Sequence, residues 1–419
     1  MGRRKLLILG HTWPEPKATA AGVRMMQLIH YFIDSDWDLT FACGSSKPDQ
    51  AVDLGAMGIS CYPVQVNDDS CNSFLSNLQP DMVLFDRFIT EEQFGWRVED
   101  SLPDCLRILD TEDLHSLRIA RQQALEKNKS FQISDWLQLD QTKRELASIY
   151  RCDLSLIISL QEIKFLKEVL QVPSELLLYL PFLSESKYES HYGMADYSTR
   201  QGFIFIGNGR HQPNIDAIQY LNSDIWPLIR ETMPNASLAI YGAYLPEQIK
   251  SLHNPNNGFY VKGYVEDADR VMQQARINLA PLRFGAGLKG KILLALENGT
   301  PTISTSIGAE GILNADSADD LIFDDPREFA RGAVQLYENE SRWCAQQESG
   351  LEILKKRFNN DHFRVEFTNT LEKLRHQLKE HRAGNFVGAM LRYHSLRSTK
   401  FLSKWITLKN ALKTGDERT

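Results

Sequence analysis

Nowhere in its 419 residues does the chain carry an uninterrupted apolar run of about 18 residues, the length a membrane-spanning helix needs. No transmembrane helix is therefore expected. Cysteine is sparse: Cys43, Cys61, Cys71, Cys105, Cys152 and Cys344 form no Cys-x-x-Cys pair and are too scattered for a disulfide framework, which points to a reducing cytosol. No His/Cys grouping has zinc spacing. Excess positive charge is missing as well, and a formal net charge of −7 argues against nucleic acid as the partner. There is no internal repeat and no low-complexity tract. The opening MGRRKLLILG has the basic start of a signal peptide, but its apolar stretch stops at Leu9 with no small-residue cleavage site, so it reads as a first buried strand.

What is present is the composition of an ordinary water-soluble globular protein, 42 % hydrophobic and 24 % charged. The length exceeds one core and suits two domains of about 150–200 residues with extensions. Short apolar runs alternate with helical spacing at Lys5–Gly10, Leu39–Cys43, Met82–Asp86, Leu106–Asp110 and Leu154–Ser159. The rhythm returns at Phe203–Ile206, Ser237–Tyr241, Phe259–Val261, Ile277–Pro281, Pro301–Ser304 and Leu321–Phe323. Nearly continuous apolar strands between helices predict parallel sheets covered on both faces, hence an α/β chain of two doubly wound, Rossmann-like lobes. The expected division is a first lobe over 1–185, a polar linker over 186–201, a second lobe over 202–345, helices packing back across the lobes over 346–382, and a basic amphipathic tail over 383–419.

The most informative segment runs from Asn278 to Ile312. A strand ends at Pro281, Gly285, Gly287 and Gly290 make a turn, a helix follows from about Lys289 to Asn298, and Gly299 stands where a left-handed cap would stop it. Glycines let a backbone approach an anion, a helix start offers free N–H groups, and Lys289 and Lys291 add countercharge; a diphosphate fits this layout. Glycine is also ordinary in any strand-to-helix turn. The spacing Gly285-x4-Gly290-Lys291 imitates a nucleoside-triphosphate loop, but Ile292 stands where Mg²⁺ coordination needs Ser or Thr.

Here "PLRFGAGLKGKILLALENGTPTISTSIGAEGI" resembles the donor-binding signature of family 4 glycosyltransferases, retaining enzymes of the GT-B architecture. "FIFIGNGRHQPN" resembles the strand and Pro-Asn turn that open the second lobe in one branch of that family. "PEPKATAAGVRMMQLI" is similar to its first-lobe loop and helix near the donor phosphates, and "RILDTEDLHSLR" to the segment on the acceptor side of the cleft. The resemblance implies a sugar transferred from a nucleotide-diphosphate donor to a glycan, glycolipid or other acceptor, with the nucleotide sugar as substrate, no cofactor and no required metal. By position it implies donor contacts from Gly22, Arg24, Gly207, Gly285, Gly287, Leu288, Lys289, Lys291, Glu297, Glu310 and Gly311. It puts Asp110, Asp113, His115 and Lys289 in catalysis, with Arg118 on the acceptor side. Asp110 and Asp113 also read as helix-capping residues, and His115 as a structural histidine. The pairs Asp34/Asp36 and Asp267/Asp269 read as solvated turns rather than metal ligands.

The pattern departs from the family at Ala286 and Leu294, where it usually places two glutamates. Leucine accepts no hydrogen bond from a ribose hydroxyl, a loss of about 1–3 kcal/mol, and Glu297 one turn later is the nearest substitute. A degenerate binding or scaffolding subunit, or an epimerase on the same lobes, are the alternative readings. From Gly384 to the end the chain has seven Lys/Arg against two acids, with Phe386, Val387, Met390, Leu391, Phe401, Leu402, Trp405 and Ile406 between them. Residues 384–410 suit peripheral contact with an anionic membrane, at the inner face of the cell membrane for a cytoplasmic protein; equally they suit packing on the first lobe, or another partner.

Overall fold

A computed structural model of the chain describes residues 3–183, 195–313 and 321–416. The apolar runs become strands because both sides of each are covered: Leu6 to Leu9, Met82 to Phe85, and Ile108 with Leu109 have almost no solvent contact. In chain order the first half runs β1 (Arg4–Gly10), α1 (Ala20–Asp34), β2 (Trp37–Cys43), β3 (Ser60–Pro63), α2 (Ser70–Leu78), β4 (Met82–Asp86), α3 (Arg87–Ser101), β5 (Leu106–Asp110), α4 (His115–Glu126), α5 (Ile133–Gln138), α6 (Asp140–Arg151), β6 (Leu154–Ile157), α7 (Leu160–Lys164) and β7 (Leu177–Tyr179). Its strands pair in parallel in the order β3-β2-β1-β4-β5-β6-β7.

The second half runs β8 (Phe203–Ile206), α8 (Gln212–Tyr220), α9 (Trp226–Thr232), β9 (Leu238–Tyr241), α10 (Glu247–Lys250), β10 (Phe259–Gly263), α11 (Ala268–Gln274), β11 (Ile277–Ala280), α12 (Gly290–Glu297), β12 (Thr302–Ser304) and α13 (Ser306–Ala309). Its sheet is also parallel, in the order β10-β9-β8-β11-β12. Each sheet reverses its winding direction once, between β1 and β4 and between β8 and β11. A doubly wound sheet opens a crevice at the carboxyl ends of its strands at such a point. The two crevices meet: Asn208, just past β8, donates from Nδ2 to the Ala18 carbonyl at 3.1 Å, and the turn after β11 touches the loop after β5.

The expected strand Leu321–Phe323 is reduced to one parallel bridge between Ser304 and Ile322. Asp325 ends it by capping α14 (Pro326–Glu338) with its side chain, turning the chain into a helix. Two strands carry too weak a pattern to predict: β3 is an exposed edge, and β7 has three residues between Pro173 and Pro181. The expected linker lies outside the described residues as far as 194. Arg200, at its other end, is buried in the second lobe, donating to the Asn298 carbonyl at 2.8 Å and to Thr300 Oγ1 at 2.6 Å.

The chain then recrosses the molecule. In α15 (Glu340–Arg357), Trp343, Leu351 and Leu354 join the core of the second sheet. In α16 (Asn360–His376), Phe363, Phe367, Leu371 and Leu374 join the core of the first. After α17 (Leu378–Gly384), the tail forms one helix, α18 (Phe386–Asp416), lying across α3 and α6. Packing on the first lobe is thus what the structure shows for the tail. Phe367 has no solvent exposure and its ring lies 4.8 Å from Tyr31 and 5.8 Å from Phe32. Phe367→Ala is expected to lower the free energy of unfolding by about 3–5 kcal/mol in denaturant titrations, because the cavity would open between α16 and the first lobe.

Candidate functional site

The turn between β11 and α12 depends on glycine for two reasons. Gly287 has φ of 62°, a conformation that L side chains rarely adopt, and a Cβ there would meet Asp113 Cβ at 2.8 Å and Ile158 Cδ1 at 3.1 Å across the cleft. Gly290, the first residue of α12, faces Ala20 of the first lobe so closely that a Cβ would meet its Cβ at 2.7 Å. The turn is therefore pressed against the opposite lobe. Its Gly287 N–H donates to Glu162 Oε1 at 2.8 Å, the same oxygen that takes the Leu114 N–H at 2.8 Å.

Lys289 is buried in this turn, donating to the Gly287 carbonyl at 2.9 Å, with Nζ 3.7 Å from Glu310 Oε2. Burial lowers its pKa, against the attraction of Glu310. Arg121, on α4, forks onto both oxygens of Glu310 at 2.7 Å and also reaches the Gly285 carbonyl at 2.7 Å, tying the lobes together. Lys291 instead donates to Asn214 Oδ1 at 2.7 Å and lies 5.0 Å from the centre of the Phe205 ring. Burial, then repulsion from Lys289, pushes its pKa down to about 7. No carboxylate among the described residues forms an ion pair with it.

The first lobe contributes the ends of β4 and β5. Asp86 and Asp110 stand in register there, Arg87 and Glu112 follow with φ of 71° and 64°, and such left-handed backbone in non-glycine residues is a local strain that surrounding contacts must hold. Asp86 Oδ1, Asp110 Oδ2 and Glu112 Oε1 are buried without hydrogen-bond partners. Burial, then the charge of Asp110, raises the Glu112 pKa well above the usual carboxylate range; burial also raises that of Asp110, against Arg24. Asp113 is the opposite case: burial would raise it, but Arg118, at 2.8 Å from Nε to Oδ2, and His115, at 3.1 Å, hold it well below the usual range. His115 is pushed to about 4 by burial, and His211, the residue before α8, to about 3 by burial and Arg118.

Several expected donor contacts are drawn together here, including Gly285, Gly287, Lys289, Lys291, Glu310 and Gly311. Leu288 packs over Gly311, whose Cβ would meet Leu288 Cδ2 at 2.7 Å. Others are placed differently. Gly22 makes room for the backbone of Glu15, which a Cβ would meet at 2.4 Å, and its N–H is taken by Thr19 Oγ1 at 2.8 Å. Arg24 is fully buried on the Pro181 carbonyl at 2.7 Å and Asp110 Oδ1 at 3.2 Å. Gly207 leaves space for the Asn214 amide, which a Cβ would meet at 2.6 Å. Leu294 packs beside Ile204, Met272 and Ala295, and Glu297 is half-buried near the end of α12. Asp36 turns the chain after α1 with φ of 59°, and Asp267 caps α11 by accepting the Arg270 N–H; among the described residues no group of three or more His, Cys, Asp or Glu side chains is placed to hold a metal ion.

Sequence reasoning missed Arg121, Glu162, His211 and Asn214. Arg121 carries one signal, its place one turn after Arg118 on α4. Glu162 is disguised, since Ser159-Leu-Gln-Glu162 spells a capping box for α7, yet the carboxyl group serves Leu114 and Gly287 instead.

Residues 200–339, from just before β8 through α14, match a family described as glycosyl transferases group 1. No curated protein matches the chain. Among solved structures, sucrose-phosphate synthase from Thermosynechococcus elongatus has a TM-score of 0.66 at 13% identity, over 89% of this chain and 99% of that one. HepE from Anabaena, in complex with UDP and glucose, has a TM-score of 0.61 at 11% identity, over 89% and 100%. The fold is GT-B. A variant of TarM from S. aureus, in complex with fondaparinux, alpha-GlcNAc-glycerol and UDP, scores 0.54 at 11% identity, over 72% of this chain and 58% of that one. In GT-B terms, the glycine turn lies on the second lobe and the carboxylate cluster on the first.

Burial, then repulsion from Asp113, raises the Glu162 pKa from 4.5 to about 8. A carboxyl group with a raised folded-state pKa stabilises the fold fully below about 4.5, and that contribution is lost as pH rises through about 8. Glu162→Gln keeps an oxygen for Leu114 and Gly287 but cannot ionise. Thermal unfolding of this variant is expected to match wild type at the acid end of that window and to exceed it at the alkaline end.

Proposed function

We propose that the chain is a retaining glycosyltransferase that moves a sugar from a nucleotide-diphosphate donor to a hydroxyl acceptor. The observation that carries this reading is Lys291: a cation in the first turn of α12, beside Lys289 and the glycine turn, half-buried and with no anionic partner among the described residues. A diphosphate at the start of α12 would supply the missing charge, and the free N–H groups of that helix end would add to its attraction. The match of residues 200–339 to group 1 glycosyl transferases supports it, as do the UDP complexes among the GT-B structures it resembles.

In the proposed reaction, Lys289 and the α12 amides stabilise negative charge growing on the departing nucleotide diphosphate. Lys289 would exchange Glu310 for phosphate, while Arg121 keeps Glu310 neutralised. The oxygens of Asp86, Asp110 and Glu112 that accept no hydrogen bond would take hydroxyl groups of the transferred sugar or the acceptor, which we infer to be a glycan or a glycolipid. His115, held neutral, would accept or donate one hydrogen bond there without carrying charge. Transfer would proceed without a metal ion, leaving chelators without effect.

A second reading, a non-catalytic GT-B binding subunit, is favoured by Leu294, which packs in an apolar cluster where the resemblance calls for a ribose-binding glutamate. Titration calorimetry against UDP, GDP, ADP and their sugar conjugates separates the two. Selective binding of one nucleotide is expected, with turnover falling by about 10²–10³-fold in Lys289→Ala; absence of binding by any nucleotide would sink the transferase reading. Because a phosphate would raise the Lys291 pKa from about 7, binding at higher pH should take up a proton and weaken as pH rises. Lys291→Met should bind more weakly throughout and lose that proton uptake, seen as heat that no longer depends on the buffer.

A further inference from the structure

The C-terminal helix α18 is mounted with its amphipathicity reversed. Against the lobe it sets small and polar residues: a Cβ on Gly388 would meet the Tyr150 carbonyl at 2.1 Å, Arg392 donates to the Arg151 carbonyl at 3.2 Å, Lys400 pairs with Asp100, and Thr407 donates to the Asn67 carbonyl at 2.9 Å. Ser403, only 4 % exposed, sits by Arg97 and the Val66 carbonyl. Among the described side chains of the helix, Leu396 is the large apolar one that is buried.

Outward, on one face of the helix, stand Phe386, Met390, Tyr393, Phe401, Trp405 and Leu408, each between 47 % and 76 % exposed. Arg397 fills the gap in this row, its guanidinium 4.1 Å from the centre of the Tyr393 ring, and Lys409 lies 5.0 Å from that of Trp405. A helix kept on a protein surface only by packing would turn these groups inward. Here polar contacts fix the orientation and leave the apolar row unpartnered.

We infer that α18 is an interfacial helix that seats the protein on an anionic lipid surface. The choice of occupant follows from charge. From Phe386 to Gly415 there is no acidic residue; Arg392 and Lys400 are turned to the lobe, and the cations exposed beside the apolar row are Arg397, Lys404 and Lys409. A second copy laid face to face would set these cations against their own kind, whereas a bilayer of anionic lipids takes the apolar row into its acyl boundary and the cations at its headgroups. Tyr393 and Trp405, apolar rings with polar edges, suit that boundary. The helix lies on the surface rather than through it, since no described helix is long and apolar enough to cross a membrane.

The inference stands apart from the transferase reading and is tested without nucleotide. Full-length protein is floated with vesicles of phosphatidylcholine alone or of phosphatidylcholine and phosphatidylglycerol in equal parts. Two variants accompany it, Phe401→Ser/Trp405→Ser/Leu408→Ser and Lys404→Glu/Lys409→Glu; all five positions are exposed, so thermal unfolding should be unchanged. Wild type is expected to float with the anionic vesicles, and each variant to bind them at least about tenfold more weakly. The idea is overturned if wild type ignores anionic vesicles, or if both variants float as well as wild type. A dimer in light scattering that the triple-serine variant abolishes, with no lipid binding, would overturn it in favour of a second copy of the chain.

Discussion

The contact on which the rest of the site depends is the one between Arg121 and Glu310. A guanidinium on α4 of one lobe and a carboxylate after α13 of the other meet through two bonds of 2.7 Å, with little solvent access. Breaking a buried pair by removing one member leaves an uncompensated charge and costs about 3–5 kcal/mol. The same guanidinium holds the Gly285 carbonyl, so the glycine turn cannot leave the first lobe without exposing or stranding that charge. Closure of the cleft and the shape of the glycine turn are one feature.

Closure at this distance is possible only because side chains are missing where the lobes touch. Gly287 lies against Asp113 and Ile158, Gly290 against Ala20, and Gly311 against Ser159, whose Oγ a Cβ would meet at 3.1 Å. Gly287 and Gly290 are among the glycines that sequence reading assigned to backbone approach to an anion. Their geometry shows a demand of another kind, close approach of the opposite lobe to that short turn. Gly287 also puts its N–H on Glu162 rather than leaving it free. An arriving diphosphate would have to compete with a carboxyl group for that donor, and the raised pKa of Glu162 makes the competitor a weaker one, because a neutral acid is a poorer acceptor than a carboxylate.

Much of this was legible in the chain because it rests on local pattern. Met82–Asp86, Leu106–Asp110 and Phe203–Ile206 are strands over the very residues predicted, since fully buried parallel strands are short apolar runs with turn residues at their ends. The glycine turn and the start of α12 were equally visible. Illegible features are those decided at a distance. Arg24 carries no local mark of being tied to Asp110 and Pro181, and the place of Gly22 follows from Glu15 folding back over α1. Leu294 was legible as a departure from the pattern that the chain resembles, and only the structure shows that its surroundings are apolar.

The tail shows why periodicity alone cannot say which face of a helix is buried. A row of apolar residues at helical spacing is read as the face toward the core because burial of apolar area is the usual driving force. In α18 the first lobe instead offers carbonyl groups of Asn67, Tyr150 and Arg151 and the carboxylate of Asp100, left over at the ends of helices and loops. Asn385, just before the helix, and Arg392, Lys400 and Thr407 on it donate to these groups; a row of Phe, Trp and Leu in their place would leave the carbonyl groups beneath it without donors. The orientation is therefore dictated by the polar surface beneath the helix, and the apolar row is left facing outward.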